Sequence, residues 1–261
     1  MDYAAVTERV GQKASREQVE RIYQRYRLAA RLAGNGAVIE IGCGTGMGLG
    51  YLAQYAARVV GVDIDERNLA LAAQGTAGLG NVEVRRMDSH DLRFPDASFD
   101  LALVYEAIYY FREPERVVAG IARLLRPGGR LIVCTVNPGW SDFHPSPFST
   151  GYLAVPELNA LLAPHFAEVA FYGGFPTRGG GAVGAAMGWV KRLAVRLHLI
   201  PGSLAARAVL KRLFFGPLVT LPAQVSDGMA PFTEPAPIAA DRPDGDHKIV
   251  YAVARKAAGN P

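Results

Sequence analysis

The sequence is poor in cysteine, has no lysine beside its glycine-rich loop, and lacks acid over one long stretch; each shortage removes a class of protein. Two cysteines, Cys43 and Cys134, in 261 residues cannot build a disulfide framework, and no Cys/His cluster has zinc-ligand spacing. A reducing cytoplasm is the expected setting, and no metal is expected. No apolar run approaches the roughly 20 residues of a membrane span. The opening Met1-Asp-Tyr-Ala-Ala-Val-Thr-Glu-Arg-Val10 has neither the basic start nor the apolar middle of a signal peptide. The expectation is a soluble protein, at most peripheral to a membrane. Between Glu168 and Asp227 there is no acid, while Arg178, Lys191, Arg192, Arg196, Arg207, Lys211 and Arg212 make seven basic residues. The chain's net charge is +4, so everything outside that segment is mildly acidic. Basicity confined to one segment does not mark a nucleic-acid binder.

What is present is enough apolar residue, 50%, to bury a sizeable core as one domain with an insertion. Val19, Ile22, Tyr23, Tyr26 and Ala30 recur at three and four residues, predicting an amphipathic helix over 15–33 capped by Ser15 and ended by Gly34-Asn-Gly36. Then strands and helices alternate: strands at 37–41, 58–62, 82–85, 101–105 and 130–136, helices at 46–57, 66–74 and 114–125. Short, doubly apolar strands between helices indicate a parallel sheet covered on both faces, an α/β doubly wound fold. A proline-stiffened aromatic loop, 137–148, follows, then a helix near 156–164 and strands at 166–172 and 249–253. More than seventy residues separate those last two strands, too many for a hairpin. Helices are expected there at 185–199 and at 204–215, the second between Ser203 and Gly216.

The stretch Val38-Ile-Glu-Ile-Gly-Cys-Gly-Thr-Gly-Met-Gly-Leu49 sets four glycines behind a strand that contains one acid. Such a loop brings backbone N–H groups and a positive helix end to a ligand. A phosphate-binding loop needs Gly-Lys-Ser/Thr, but Met47 follows Gly46 and no lysine follows until Lys191. A dinucleotide fingerprint needs Gly-x-Gly-x-x-Gly, and in the two registers the third glycine is replaced by Met47 or Leu49. What fits is Glu-x-Gly-x-Gly-x-Gly, as Glu40-Ile-Gly-Cys-Gly-Thr-Gly46.

With that element the sequence resembles the class I S-adenosylmethionine-dependent methyltransferases of the small-molecule, type 11-like kind. The likeness is close over 36–138 and looser at the two last strands. Val59-Val-Gly-Val-Asp-Ile64 resembles the family's second strand, Arg86-Met-Asp-Ser-His-Asp-Leu-Arg-Phe94 its third-strand loop, Phe99-Asp-Leu-Ala-Leu-Val-Tyr-Glu106 its fourth strand, and Leu125-Arg-Pro-Gly-Gly-Arg-Leu-Ile132 the turn before its fifth. The resemblance implies a Rossmann-like, mostly parallel seven-stranded sheet with its last strand antiparallel. It implies a core of 1–172 and 248–261 with a lid helix at 15–33, and a basic helical insertion at 173–247.

It also implies a cofactor, S-adenosylmethionine, which carries hydroxyls, an amino-acid end and a base but no phosphate, and so calls for acids and backbone rather than lysine. Its site would comprise Glu40, Gly42, Cys43, Gly44, Gly46, Asp63 and Ile64 for loop and ribose, Asp88, Ser89 and His90 at the adenine, and Tyr105. In the N-terminal helix, Gln24, Arg25 and Tyr26 resemble the lid over the cofactor's carboxylate, with a solvated helix face as the competing reading; Tyr3 is a further lid candidate. Cys43 reads as a small residue in a tight turn rather than a nucleophile, and Cys134 as core. Around the reacting methyl the resemblance places Tyr105, Glu106, Tyr109, Tyr110 and the loop 140–148. The catalytic candidates are Glu106, His144 and Tyr109, with His90 a further base; Glu106 as a loop-orienting residue and His144 as a cap of the proline turn are the alternatives.

After the fourth strand stands Val104-Tyr-Glu-Ala, not the Asn/Asp-Pro-Pro-Tyr element of methyltransferases acting on DNA bases. The implied reaction is methyl transfer to an O or N atom of a small molecule, a sugar or lipid-linked metabolite among the candidates. Segment 182–221, with Phe214, Phe215, Leu218, Val219 and Leu221 beside its basic residues, offers three readings: a helical cap with a solvated basic face, an anionic-acceptor or dimer surface, and peripheral membrane contact. The competing functions are an NAD-dependent oxidoreductase and a non-catalytic cofactor-binding or peripheral membrane protein on the same fold.

Overall fold

Strands that are apolar on both faces are stable only when both faces are covered, and the architecture follows from that requirement. The computed structural model describes residues 8–177 and 217–259. Its elements in chain order are β1 (Lys13–Ala14), α1 (Arg16–Ala33), β2 (Ala37–Ile41), α2 (Leu49–Leu52), β3 (Arg58–Asp63), α3 (Glu66–Gly75), β4 (Val82–Arg86), β5 (Phe99–Tyr105), α4 (Pro114–Leu124), β6 (Leu125–Val136), α5 (Val155–Leu162), β7 (Glu168–Pro176), β8 (Val219–Thr220), β9 (Ala236–Ile238) and β10 (His247–Arg255). The main sheet runs β4-β3-β2-β5-β6-β10-β7-β9. Pairs β2/β3, β3/β4, β2/β5 and β5/β6 are parallel, and β10 lies antiparallel between β6 and β7.

The chain steps outward from β2 to β4 and then returns to the other side of β2 to start β5. That reversal opens a crevice beyond the carboxyl ends of β2 and β5, where ligands bind in such sheets. Side chains alternate along β2: Ile39 and Ile41 join the core beneath α4 and α5, while Val38 joins the core beneath α1 and α2. Glu40, two residues from Val38, therefore faces α1. Phe99, Ile39, Leu101 and Leu103 are fully buried, each contributing on the order of 2–3 kcal/mol of apolar burial.

Helix α1 is fixed at both ends and on both sides. Ser15 caps it with a reciprocal bond to Gln18, and Gly34 ends it in the left-handed conformation. One side packs on the sheet. Along the other runs residues 223–234, stitched on by Gln24 Nε2 donating to the Thr233 carbonyl (2.6 Å), Arg31 paired with Glu234 (2.5 Å), and Asp227 accepting from Tyr23 OH (3.3 Å) and pairing with Arg27 (3.2 Å).

Several boundaries differ from expectation. The helix expected at 46–57 is regular only over Leu49–Leu52, because Gly46 takes a positive φ of 69° and the chain beyond residue 52 closes with tighter turns such as Tyr55 N to Leu52 O. β7 runs to Pro176 rather than to residue 172, since β10 offers partners as far as His247. An eighth, three-residue strand, β9, adds to the seven expected. Among the described residues of the insertion, 217–247 are extended and turn structure; the expected helices at 185–199 and 204–215, their basic residues and Tyr3 lie outside the described residues. No helix among the described residues is long and apolar enough to cross a membrane.

Candidate active site

A cavity of about 610 Å³ opens at the crevice, lined by the glycine loop, the ends of β3, β4 and β5, and the inner face of α1. It brings together Glu40, Gly42, Cys43, Gly44, Asp63, Ile64, Asp88, Ser89, His90, Tyr105, Arg25 and Tyr26 with Glu106 and Tyr109. No lysine among the described residues lines it.

Glu40 sits at the base, 1% exposed. Tyr26 donates its hydroxyl to Glu40 Oε1 (2.7 Å), while Oε2 is buried with no partner among the described residues. Burial pushes this carboxyl up to about 7, against the pull of Tyr26 and Arg25. A carboxylate held dry with one oxygen unsatisfied is a costly arrangement by itself, and suits a cationic or hydrogen-donating ligand. Asp63, at the end of β3, uses Oδ2 to accept from Gly44 N (2.8 Å) and Oδ1 to accept from Asp65 N (2.9 Å). Burial raises its pKa; those N–H groups oppose the rise. Each oxygen keeps a second lone pair for a hydroxyl. Asp88 Oδ1 accepts from His90 N (2.9 Å) and pairs with His90 Nδ1 (2.8 Å), contacts that hold it below the usual carboxylate range. His90 in turn meets Phe111 edge to face.

The glycines divide their work. Gly42 (φ 75°) passes 2.9 Å from Ala107 if given a Cβ, and Gly44 (φ 55°) presents its N–H to Asp63. Gly46 does not line the cavity, contrary to expectation; a Cβ there would meet Ala72 at 2.7 Å, so it serves the packing of loop on α3. Gly48, which the motif does not include, lies under Tyr26, whose ring would stand 1.9 Å from an added Cβ. The Cys43 thiol is buried and its pKa raised well above normal by that burial, which fits a packing role. Cys134 is core.

At the other end of the cavity, Glu106 follows β5 in a left-handed conformation (φ 50°). Non-glycine residues in that region are uncommon and concentrate at functional sites. Its N–H donates to Cys134 O (2.8 Å), and its Oε2 accepts from the Tyr109 hydroxyl (2.9 Å). Burial raises the Glu106 pKa, with Arg25 the main opposing charge. Tyr109 is raised further by its own burial beside Glu106, so it remains a donor. His144 is exposed and does not line the cavity, nor does any residue of 140–148. Thr150 donates its N–H (2.8 Å) and hydroxyl (3.0 Å) to the Tyr109 carbonyl, which anchors the end of that loop to the 3-10 turn Ile108–Tyr110. Gln24, expected in the lid, turns away: it bonds Thr233 and accepts from Tyr251 OH (2.8 Å).

Sequence reasoning missed Glu8, Gln18, Arg21, Thr45, Met87 and Arg112 in the lining. Glu8 and Arg112 lie outside regular elements, where there is no periodic signal. Arg21 carried one, since it stands one helical turn before Arg25 on the same face of α1.

Residues 39–133 match the family model described as a methyltransferase domain. Over 148 residues the chain is 38% identical to a probable S-adenosylmethionine-dependent methyltransferase of Mycolicibacterium smegmatis, covering 55% of each. Over 113 residues it is 37% identical to a phosphatidylethanolamine N-methyltransferase of Cereibacter sphaeroides, covering 42% of this chain and 55% of that one. The chain thus spans about half the length of the curated relatives it matches. Among solved structures, the [4+2]-cyclase SpnF superposes with a TM-score of 0.56 at 22% identity, over 97% of this chain and 86% of that one, a likeness of fold.

Proposed function

We propose, from a chain whose residues 39–133 belong to the class I S-adenosylmethionine-dependent methyltransferases, that it moves the methyl group of that cofactor to an O or N atom of a small molecule. The observation that carries this reading is three carboxylates, Glu40, Asp63 and Asp88, gathered with the Gly42–Gly44 backbone in one cavity that no lysine among the described residues lines. Beside those three acids a ligand with an ammonium, two ribose hydroxyls and an adenine amino group is complemented better than a phosphate. The unpartnered Oε2 of Glu40 suits the ammonium, Asp63 the hydroxyls and Asp88 the amino group. Arg25, the cavity cation whose charge acts on Glu40, suits the cofactor's carboxylate.

When bound, the cofactor supplies a methyl carbon activated by positively charged sulfur. The protein's own part is alignment, exclusion of water and handling of one proton. Glu106 would take the proton of an acceptor hydroxyl as that oxygen bonds the methyl carbon and the sulfur–methyl bond breaks, leaving the thioether product; a neutral amine acceptor would attack with its free lone pair and give up its proton afterwards. Tyr109 holds the Glu106 carboxyl in one orientation through its hydrogen bond. The strained backbone at Glu106 and its raised pKa both support this role. Tyr109, Tyr110 and Phe111 give this end of the cavity an aromatic wall suited to a largely apolar acceptor. A lipid-linked acceptor has the printed substrate of the Cereibacter relative in its favour.

A thermal-shift series with S-adenosylmethionine, S-adenosylhomocysteine and NAD tests the reading. Stabilisation by the two sulfur compounds and not by NAD is expected. Stabilisation by NAD alone would replace the proposal with an oxidoreductase.

A further inference from the structure

Arg25 already holds a carboxylate. Glu8 Oε2 lies 2.5 Å from Arg25 Nη2, and both residues line the cavity. The Arg25 side chain is 8% exposed and that of Glu8 36%. The contact is held in place from both sides. The Glu8 carbonyl accepts from Thr45 Oγ1 (3.0 Å), a residue of the glycine loop, and the chain beyond Glu8 is fastened by Gly11 N to Leu221 O (3.0 Å), Leu221 N to Gln12 O (2.9 Å) and the β1/β8 pairing. Val225 N donates to Met47 O (2.9 Å), tying the same neighbouring segment back to the loop.

We infer that Glu8 is a built-in competitor for the cofactor's carboxylate at Arg25, and thereby sets how tightly the cofactor and its demethylated product are held. This rests on the cofactor reading proposed above. At a guanidinium this deeply buried, with Tyr26's ring 5.4 Å away, a second carboxylate would be repelled by the first with little solvent screening. Binding a ligand that carries an α-carboxylate therefore breaks the Glu8–Arg25 pair, and Glu8 swings into solvent. A ligand that lacks the carboxylate leaves the pair intact. The consequence is an affinity held down specifically for the full amino-acid end, which favours release of product after each turnover.

The test is isothermal titration of the full chain and its Glu8→Gln variant with two probes. S-adenosylhomocysteine carries the carboxylate; 5′-methylthioadenosine lacks the amino-acid end. The variant is expected to bind S-adenosylhomocysteine about 5-fold more tightly, a modest figure because Glu8 is partly hydrated, with 5′-methylthioadenosine unchanged. Glu8→Ala should give the same sign. Unchanged or weaker S-adenosylhomocysteine binding overturns the inference, as does an equal gain for both probes, which would mean a general opening of the cavity. If the wild-type chain binds neither probe, the cofactor reading itself falls and takes this inference with it, whereas binding of both with no selective gain removes only Glu8.

Discussion

The two ends of the cavity are built differently. At the ends of β3 and β4, the acids are fixed by backbone close to them in sequence or in the adjoining loop: Asp63 by Gly44 N and Asp65 N, Asp88 by His90 N. Toward α1 and the end of β5, each polar group is fixed by another side chain: Glu40 by Tyr26, Arg25 by Glu8 and Glu106 by Tyr109. Backbone donors are in place whenever the strands pair, so the first end is preorganised by the fold itself. The second end depends on rotamers and on segments that meet only in the tertiary structure, which leaves it freer to differ in what it accepts.

Glu106→Gln strikes the side-chain end hardest. It should lower turnover of a hydroxyl acceptor by about 100-fold, the usual scale for loss of a general base, while S-adenosylhomocysteine affinity by titration stays within about twofold. Loss of cofactor binding along with rate would erase the division between the ends.

Glu40→Gln sharpens it from the other direction. The folded pKa of Glu40 stands at about 7 against an ordinary value of 4.5, so the stability that its neutral form contributes is complete below about pH 4.5 and is lost as pH rises through 7. The amide should therefore stabilise the ligand-free protein by up to about 3 kcal/mol at pH 8 and by little at pH 4.5, as read by urea unfolding. The same substitution should weaken S-adenosylhomocysteine binding, and in the wild-type protein that binding should weaken as pH falls below 7. An unchanged unfolding midpoint at pH 8 would show that Glu40 is not strained before ligand arrives.

Gly48→Ala forces a methyl group into the Tyr26 ring and should cost about 1–3 kcal/mol of stability, together with loss of the Tyr26–Glu40 bond. The melting temperature checks the first effect and S-adenosylhomocysteine titration the second. His144→Ala should alter neither turnover nor stability beyond about 0.5 kcal/mol, because the side chain is exposed and outside the cavity. A large rate loss there would return the 140–148 loop to the site.

The same contrast explains what could be read from the chain alone. Strand alternation and glycine spacing are local, so the sheet, Glu40, Asp63 and Asp88 were legible before any coordinates. Gly46 stands outside the cavity lining, against Ala72; a glycine in a loop motif looks the same in sequence whether it faces the crevice or a neighbouring helix. Gly48 went unnoticed because its demand comes from Tyr26, 22 positions earlier. His144 was a candidate by residue type and by its place in the loop after β6; nothing local says whether that loop lines the cavity. Gln24 sits beside Arg25 in the chain, yet a helix turns consecutive residues about 100° apart, and that rotation sends it to Tyr251. Glu8 had no pattern to betray it, since an irregular segment is placed by what it bonds, here Leu221 and Thr45.

The most direct measurement of the central claim is calorimetric titration of S-adenosylhomocysteine into the wild-type chain and into Asp63→Ala. Micromolar or tighter binding by the wild type and a loss of at least about 100-fold in the variant are expected, since the variant forfeits both ribose hydroxyl contacts and the Gly44 anchor. Equal affinity in the two proteins would contradict the account.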